Sequence, residues 1–371
     1  MSEKLFRLLK TAVALSDQFQ STLDTTPQAE TTASTSTTTK PTDPLLLLSD
    51  SAKMLRSQVT KLSLLAITSP FTPSAISTVV SAANDSAMPS LVTAALLLTS
   101  SEYTKAFTGE ARVLVKTVLR EFSALVEEVL RLANRHEAGD FNNNKDQELP
   151  KADKDVITSR TGRVWDSCDT VIDLVAKGVV GFVAGRVQQW HDLIKDAISE
   201  LEEWDPEDDT DFDDLLGSDE DEEDDDKDED QEPTQEEKKE IDALQKQKKS
   251  TLRAIKPIAQ IYPAIVSNRL KKGGLTASST AQIQKLESLS SDLQSIPGHV
   301  DEAAGSLYEG SVTDSVRYLR LAKTTAERAV QLVSLPWRGE NTIDAGSKED
   351  KFTVWSKTWM KVMADVIQDA Q

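Results

Sequence analysis

The chain has 371 residues, of which 38% are hydrophobic, and its formal net charge is −20. This length allows two ordinary domains, and the apolar share is too high for a chain that is disordered throughout. The single cysteine, Cys168, excludes an intramolecular disulfide and is typical of a reducing compartment.

The negative charge belongs to one tract, residues 205–232, which contains nineteen carboxylates and one lysine. Its local charge of −18 leaves about −2 for the rest of the chain. A near-neutral folded part lacks the basic surface that phosphate binding needs, so we expect no direct nucleic-acid ligand.

The first residues lack the basic and apolar regions of a signal peptide. No uncharged apolar stretch is long enough to span a bilayer. We therefore expect a protein of the cytoplasm and nucleus that does not bind membranes.

Helical spacing dominates the chain from its start. Leu5, Leu9 and Ala12 recur three and four residues apart, which predicts an N-terminal helix over residues 1–20. Residues 21–44 are rich in Thr and Pro and poor in apolar groups, so we predict a disordered insertion there.

A first helical bundle is predicted over residues 45–204. Leu45–Ile67 forms one helix, and prolines open two shorter ones, from Pro73 to about Ala83 and from Pro89 to Thr99. The next helix has a broad apolar stripe, formed by Val115, Val118, Leu119, Phe122, Leu125, Val126, Val129, Leu130 and Ala133. On its polar side, Glu127 and Arg131 have the spacing of an ion pair.

Two more helices complete this bundle, at about Asp153–Val175 and Val179–Trp204. Their junction contains Gly178, Gly181 and Gly185, and glycine weakens a helix interior, so we predict a kink or a close helix contact there.

The second bundle is predicted over residues 236–371, after an acidic disordered linker at 205–235. Pro257 and Pro263 are expected to interrupt its first helix, and Pro297 with the glycine after it should stop the next one. A further stripe from Val312 to Val333 predicts another helix.

The last helix is predicted at about Ser347–Gln368. Its apolar side consists of Phe352, Trp355, Trp359, Val362 and Val366. Aromatic stripes at helical spacing usually pack inward, so we expect these tryptophans, and also Trp165 and Trp204, in the core. An exposed anchor formed by Trp355 and Trp359 is the alternative. Alternating strand patterns with hairpin turns are missing from the sequence. The predicted class is all-α, with two antiparallel helical bundles joined by the acidic linker.

Residues for catalysis are scarce. His136, His191 and His299 lie in different segments without ligand spacing, and no histidine or second cysteine neighbours Cys168. No glycine-rich phosphate loop is present. We therefore predict a protein that is not an enzyme and that has no cofactor and no metal site.

The acidic tract is the strongest candidate for a binding segment. Apolar side chains interrupt its acids, and such residues can anchor an acidic segment in a groove; the candidate contacts are Phe212, Asp213, Asp214, Leu215 and Leu216. Ser218 precedes three acids and is a candidate site for an acid-directed kinase. A solvated linker and a docking strip for a basic protein both fit the tract, whereas spaced calcium ligands are lacking.

Three segments in order carry a resemblance to a known family. They are Thr161–Asp169 (TGRVWDSCD), Ala197–Trp204 (AISELEEW) and the acidic Asp211–Asp214 (DFDD). This order resembles the Grap2- and cyclin-D-interacting family, also called cyclin-D1-binding protein 1-like. The resemblance implies a helical protein of the nucleus and cytoplasm that binds D-type cyclins and dampens cell-cycle progression without catalysis.

Two other functions remain open. The family's architecture is similar to vinculin- and talin-type bundles, which suggests a cytoskeletal adaptor whose groove receives a partner helix with little salt dependence. The acidic tract instead suggests a chaperone for histones or other basic proteins, whose binding would collapse with salt.

Overall fold

The structure is a computed structural model of the full chain and describes residues 2–25, 43–138, 149–207, 234–272, 275, 279–337 and 349–368. Helices joined by turns and short connections make up this part, and it contains no strand. The chain divides into two compact units, Met1–Val179 and Val180–Gln371. The predicted all-α class with two helical bundles is confirmed.

The first unit is built from α1 to α5 and the first part of α6. The bounds are α1 (Ser2–Asp24), α2 (Pro44–Ile67), α3 (Pro73–Ala82), α4 (Met88–Leu97), α5 (Lys105–Ala138) and α6 (Lys151–Glu203). Helix α1 packs along α5 and α3, and α2 packs against α4 and α3. The N-terminal helix is therefore part of the first unit, because Leu5, Leu9 and Ala12 are buried in it.

Helix α2 begins as its sequence predicts. Pro44 occupies the first turn, where its missing N–H costs nothing, and the Asp43 side chain accepts a hydrogen bond from the Leu45 N–H at 3.0 Å. The helix ends at Ile67, and Thr68 is already extended.

Helices α3 and α4 are joined by a π-helical turn, Ala83–Ala87, where the sequence predicts a break. Such a turn keeps the backbone helical just before Pro89, which has no N–H to donate. Within the turn, the Asn84 amide donates a hydrogen bond to the Leu8 carbonyl at 3.2 Å, so it ties this segment to α1.

The long helix α5 has the predicted apolar face. Every member of the predicted stripe is buried except Leu130, which is half-buried. The prediction of an ion pair between Glu127 and Arg131 is wrong, however. Arg131 pairs with Glu128 at 2.8 Å and approaches Asp153 of α6 at 3.6 Å, so the neighbouring helix draws the guanidinium to that side.

Helix α6 contains the predicted kink. Gly178 has φ 60° and ψ −177°, a backbone conformation that is essentially restricted to glycine. The two compact units meet in the chain just after it, between Val179 and Val180. The observed division therefore falls inside α6, whereas the sequence analysis places the end of the first bundle at residue 204.

The second unit contains the rest of α6 and four further helices. They are α7 (Gln235–Ile265), α8 (Thr280–Tyr308), α9 (Val312–Leu332) and α10 (Lys351–Gln368). Helix α9 packs along α8 and α7, and α10 packs on α7. The end of α6 belongs to this unit because His191 stacks on Tyr262 at 5.8 Å and Trp204 meets Tyr308 edge-on at 5.0 Å.

Three prolines predicted to break helices lie inside them. Helix α7 continues through Pro257 and Pro263 to a π-helical turn at Val266–Leu270, and α8 continues through Pro297. Apolar burial on both sides of each proline explains the difference. The buried residues are Ile255, Ile258, Ile261, Tyr262 and Ile265 in α7, and Ile296, Val300, Ala303 and Leu307 in α8. Burial of this size outweighs the lost hydrogen bonds.

Helix α10 buries a slightly different face from the one predicted. Phe352 and Trp359 are in the core and Trp355 is half-buried, but Val362 is 43% exposed and Met363 is buried instead. Trp165 and Trp204 are also half-buried. No helix in the described ranges combines the length and the apolarity needed to cross a bilayer.

Candidate partner-binding surface

The predicted contacts in the acidic tract, Phe212, Asp213, Asp214, Leu215 and Leu216, and the predicted phosphorylation site Ser218 lie outside the described residues. The structure describes the two ends of the tract, residues 205–207 and the chain from residue 234, and both ends lie next to α7. Lys248 donates to the Trp204 carbonyl, and Gln245 donates to the Glu207 carboxylate at 2.9 Å. The chain returns at Thr234, whose carbonyl accepts a hydrogen bond from the Lys238 N–H in the first turn of α7.

The Thr161–Asp169 segment has a core side and a surface side. Thr161, Val164 and Cys168 are buried at spacings of three and four residues, and the Thr161 hydroxyl donates to the Ile157 carbonyl at 2.7 Å. The segment is therefore first of all a packing element of the first unit.

On its surface side, this segment forms a cluster with α2. Arg56 pairs with Asp169 at 3.2 Å, with side chains 45% and 52% exposed, and its guanidinium lies 5.4 Å from the centre of the Trp165 ring. The Trp165 indole N–H is buried and has no hydrogen-bond partner in the described part of the chain, so the ring edge that carries it faces inward. Tryptophan and arginine are the side chains most enriched in the energetic centres of interfaces. We call Arg56, Trp165 and Asp169 the α2–α6 cluster.

Exposed apolar side chains are frequent on the same unit. Those of the first unit are Leu46, Met54, Leu64, Leu96, Leu97, Val113 and Val156. Isolated apolar residues are normal on a protein surface, so they would indicate a binding surface only if they lay beside Arg56 and Trp165. Met54 lies two residues from Arg56, about 160° around the axis of α2, and Val156 lies nine residues before Trp165, about 180° around α6, so neither shares a face with the cluster.

Cys168 has the chemistry of a core residue. Burial raises the pKa of its thiol to about 12, with a smaller contribution from Asp169 in the same direction and an opposing one from Arg56. Since the thiolate is the nucleophilic form, this thiol is unreactive at neutral pH.

The histidines are separate from one another, and two of them stack on aromatic rings. His136 stacks on Phe71 at 4.3 Å, and burial, with the nearby Arg135 charge, lowers its pKa. The pKa of His191 is also lowered, mainly by burial and then by Lys195, with Asp192 opposing. His299 is half-buried on α8. Within the described ranges, no group of three or more His, Cys, Asp or Glu side chains is arranged to hold a metal ion.

The most elaborate polar cluster surrounds Arg269, a residue that sequence analysis did not identify. Its side chain is 1% exposed and donates to the Val333 carbonyl at 2.6 Å and the Ser334 carbonyl at 2.7 Å. It also binds the Asp350 carboxylate and lies 4.3 Å above the Phe352 ring. All of these partners belong to the protein, so the cluster joins the end of α7 to the segments after α9 and before α10.

Comparison with known families identifies part of the chain. Residues 47–207 match the family model described as Grap2 and cyclin-D-interacting, N-terminal. No curated protein matches the chain at a significant level. The match confirms the predicted resemblance over the region from α2 to the end of α6. The α2–α6 cluster lies within the matched residues.

Proposed function

We propose that the chain is a non-enzymatic interaction protein of the Grap2- and cyclin-D-interacting family that binds a D-type cyclin and slows cell-cycle progression. The match over residues 47–207 carries the proposal, because its description names a cyclin-D interaction. The unreactive Cys168 thiol and the separated histidines support a function through contacts instead of catalysis. Such a role fits a protein of the cytoplasm and nucleus.

The contact surface that we propose is the α2–α6 cluster. Arg56 and Trp165 supply a cation stacked on an aromatic ring, and Asp169 supplies an opposite charge beside them. An interface centred on them would bury a surface ion pair and the exposed part of an aromatic ring. Phe212, Asp213, Asp214, Leu215 and Leu216 extend the contact as a second segment in our proposal, with Ser218 as a phosphorylation site beside it.

Charge reversal on α2 tests the proposed surface. In Arg56→Glu, we expect binding to a purified D-type cyclin to weaken about tenfold or more in biolayer interferometry, because hot-spot losses are about 2 kcal/mol or larger. The matched control is Lys61→Glu, which makes the same charge change on the same helix about 140° around its axis. Lys61 is also exposed. Equal affinities of the two variants would contradict the assignment of this surface.

Cell-cycle regulation has its own test. Induced expression of the chain in cultured cells should lengthen G1, as measured by DNA content, and Arg56→Glu should lose this effect while Lys61→Glu retains it. If both variants lengthen G1 equally, the effect does not depend on the proposed surface.

The charge of the tract supports a second candidate function, a chaperone for basic proteins. Nineteen carboxylates between residues 205 and 232 are a suitable ligand for histones. This function predicts histone binding that falls steeply between about 0.1 and 1 M salt, where the Debye length decreases from about 10 Å to about 3 Å. Cyclin binding through the α2–α6 cluster should be much less sensitive to salt.

A further inference from the structure

Helix α7 carries a row of cations along its exposed face. Lys246, Lys249, Arg253 and Lys256 are exposed and follow one another at spacings of three, four and three residues. Residues at these spacings lie on one side of a helix, and this row covers about 15 Å of its length. We call these four residues the basic stripe.

The chain around the basic stripe in sequence provides little negative charge. Residues 243–286 contain nine lysines and arginines and no acid. Within the described part of the chain, no ion pair is formed by Lys246 or Lys249, and Asp242 is the acid on the same face one turn earlier. At the other end, Lys256 pairs with Glu202 at 2.5 Å, so one acidic side chain of α6 already binds the stripe.

Both ends of the acidic tract lie next to the same helix, α7. Gln245, next to Lys246, holds the Glu207 carboxylate at 2.9 Å, and the chain returns through Thr234 to the start of α7. Residues 208–233, which lie between these points, include the eight consecutive carboxylates of residues 219–226. An eight-residue run can reach about 27 Å, which exceeds the length of the stripe.

We propose that residues 208–233 bind the basic stripe of their own chain, with the carboxylate run at 219–226 as the main contact. Opposite charge and the two attachment points argue for this occupant over an acidic partner. A segment tethered at both ends has an effective concentration on the order of millimolar, which a free acidic peptide rarely reaches. The stripe therefore competes with any basic protein for the tract, and this competition makes partner binding dependent on ionic strength.

Paramagnetic relaxation measures this contact in the full chain. A nitroxide is attached to Ser218→Cys; Cys168 is buried and its thiol remains unlabelled. At about 0.1 M salt, we expect the amide signals of residues 246–256 to lose at least about half of their intensity. In 1 M salt, where the Debye length is about 3 Å, the signals should recover.

Neutral variants separate binding from tethering. Lys246→Gln, Lys249→Gln and Arg253→Gln together should abolish the broadening, although the tether is unchanged. The control combines Lys10→Gln, Lys61→Gln and Arg163→Gln, exposed residues of the first unit, and should keep the broadening. Equal broadening in both triple variants would overturn the proposal, because tethering alone would explain it. Broadening of an isotope-labelled chain mixed with a spin-labelled one would overturn it as well, since the occupant would then be a second copy.

Discussion

Arg269 and Asp350 form a two-point ion pair in which Nη1 lies 2.8 Å from Oδ2 and Nη2 lies 3.1 Å from Oδ1. The arginine is fully buried, and the aspartate side chain is 36% exposed. Asp350 also accepts a hydrogen bond from the Thr353 N–H at 2.7 Å, so it caps the start of α10 as well. One pair of side chains thus holds α10 on the second unit.

Arg269→Met should destabilise the second unit by about 3 kcal/mol, because it leaves Asp350 and two backbone carbonyls without their donor. Urea unfolding followed by tryptophan fluorescence measures the change. The control is Lys357→Met, which removes an ion pair with Glu349 on the surface of α10 and should cost less than about 1 kcal/mol. A smaller loss in Arg269→Met than in the control would contradict the structural role of the pair.

Stability should depend on pH through Asp350. Burial would raise its pKa, but the hydrogen bond from Arg269 and those from the Thr353 N–H and hydroxyl lower it from 3.8 to about 2. Because the native carboxylate binds fewer protons than the unfolded one, its contribution is complete above about pH 4 and is lost as the pH falls through about 2. Partial exposure reduces its size.

The corresponding measurement compares wild type with Asp350→Asn. The difference in their free energies of unfolding should be largest at about pH 5 and should shrink towards pH 2. A difference that stays constant over this range would show that Asp350 has an ordinary pKa in the folded protein.

Gly178→Ala should destabilise the protein by about 1–3 kcal/mol, because an alanine at φ 60° and ψ −177° is strained. Beyond the adjacent residues and the helix's own backbone, no atom lies within 4 Å of the added Cβ, so the cost comes from the backbone conformation. Gly185→Ala is the matched control in the same helix; it also meets no atom, and at a regular helical position it should stabilise by up to about 1 kcal/mol. Opposite signs in thermal unfolding support the kink at Gly178, and stabilisation by both substitutions argues against it.

Cys168 should not react with a thiol reagent such as Ellman's reagent in the native protein, and it should react completely in denaturant. Its burial and its thiol pKa of about 12 both predict this result. An added cysteine at the exposed Ser57 position of α2 should react at once and confirms the activity of the reagent. Rapid native reaction of the unchanged protein would show that α6 opens around Cys168.

Long apolar stripes made most helices predictable. The stripe of α5 and the proline-capped start of α2 follow from local spacing and local capping, and both are as expected. The prolines of α7 and α8 were misjudged because their cost is local, whereas the burial of Ile258, Tyr262 and Val300 depends on neighbouring helices. The rule that proline ends a helix therefore predicted helix ends at positions where packing against neighbouring helices keeps the helix intact.

The polar clusters were harder to predict. Arg269 binds Val333 and Asp350, which are 64 and 81 residues away in sequence, so no local pattern brings them together. The family segment Thr161–Asp169 was visible in the sequence, but the contact between Trp165 and Arg56, which are 109 residues apart, depends on the tertiary fold. The predicted contacts at Phe212, Leu215 and Leu216 stay predictions.

Calorimetric titration with a purified D-type cyclin tests the central claim most directly. The cyclin is titrated into the full chain and into a chain whose residues 208–233 are replaced by an uncharged Gly/Ser segment of equal length. Our account predicts saturable binding in both, with affinities within about tenfold, because the matched helical region carries the main contact. No binding to either chain, or binding that disappears with the replacement, would contradict it.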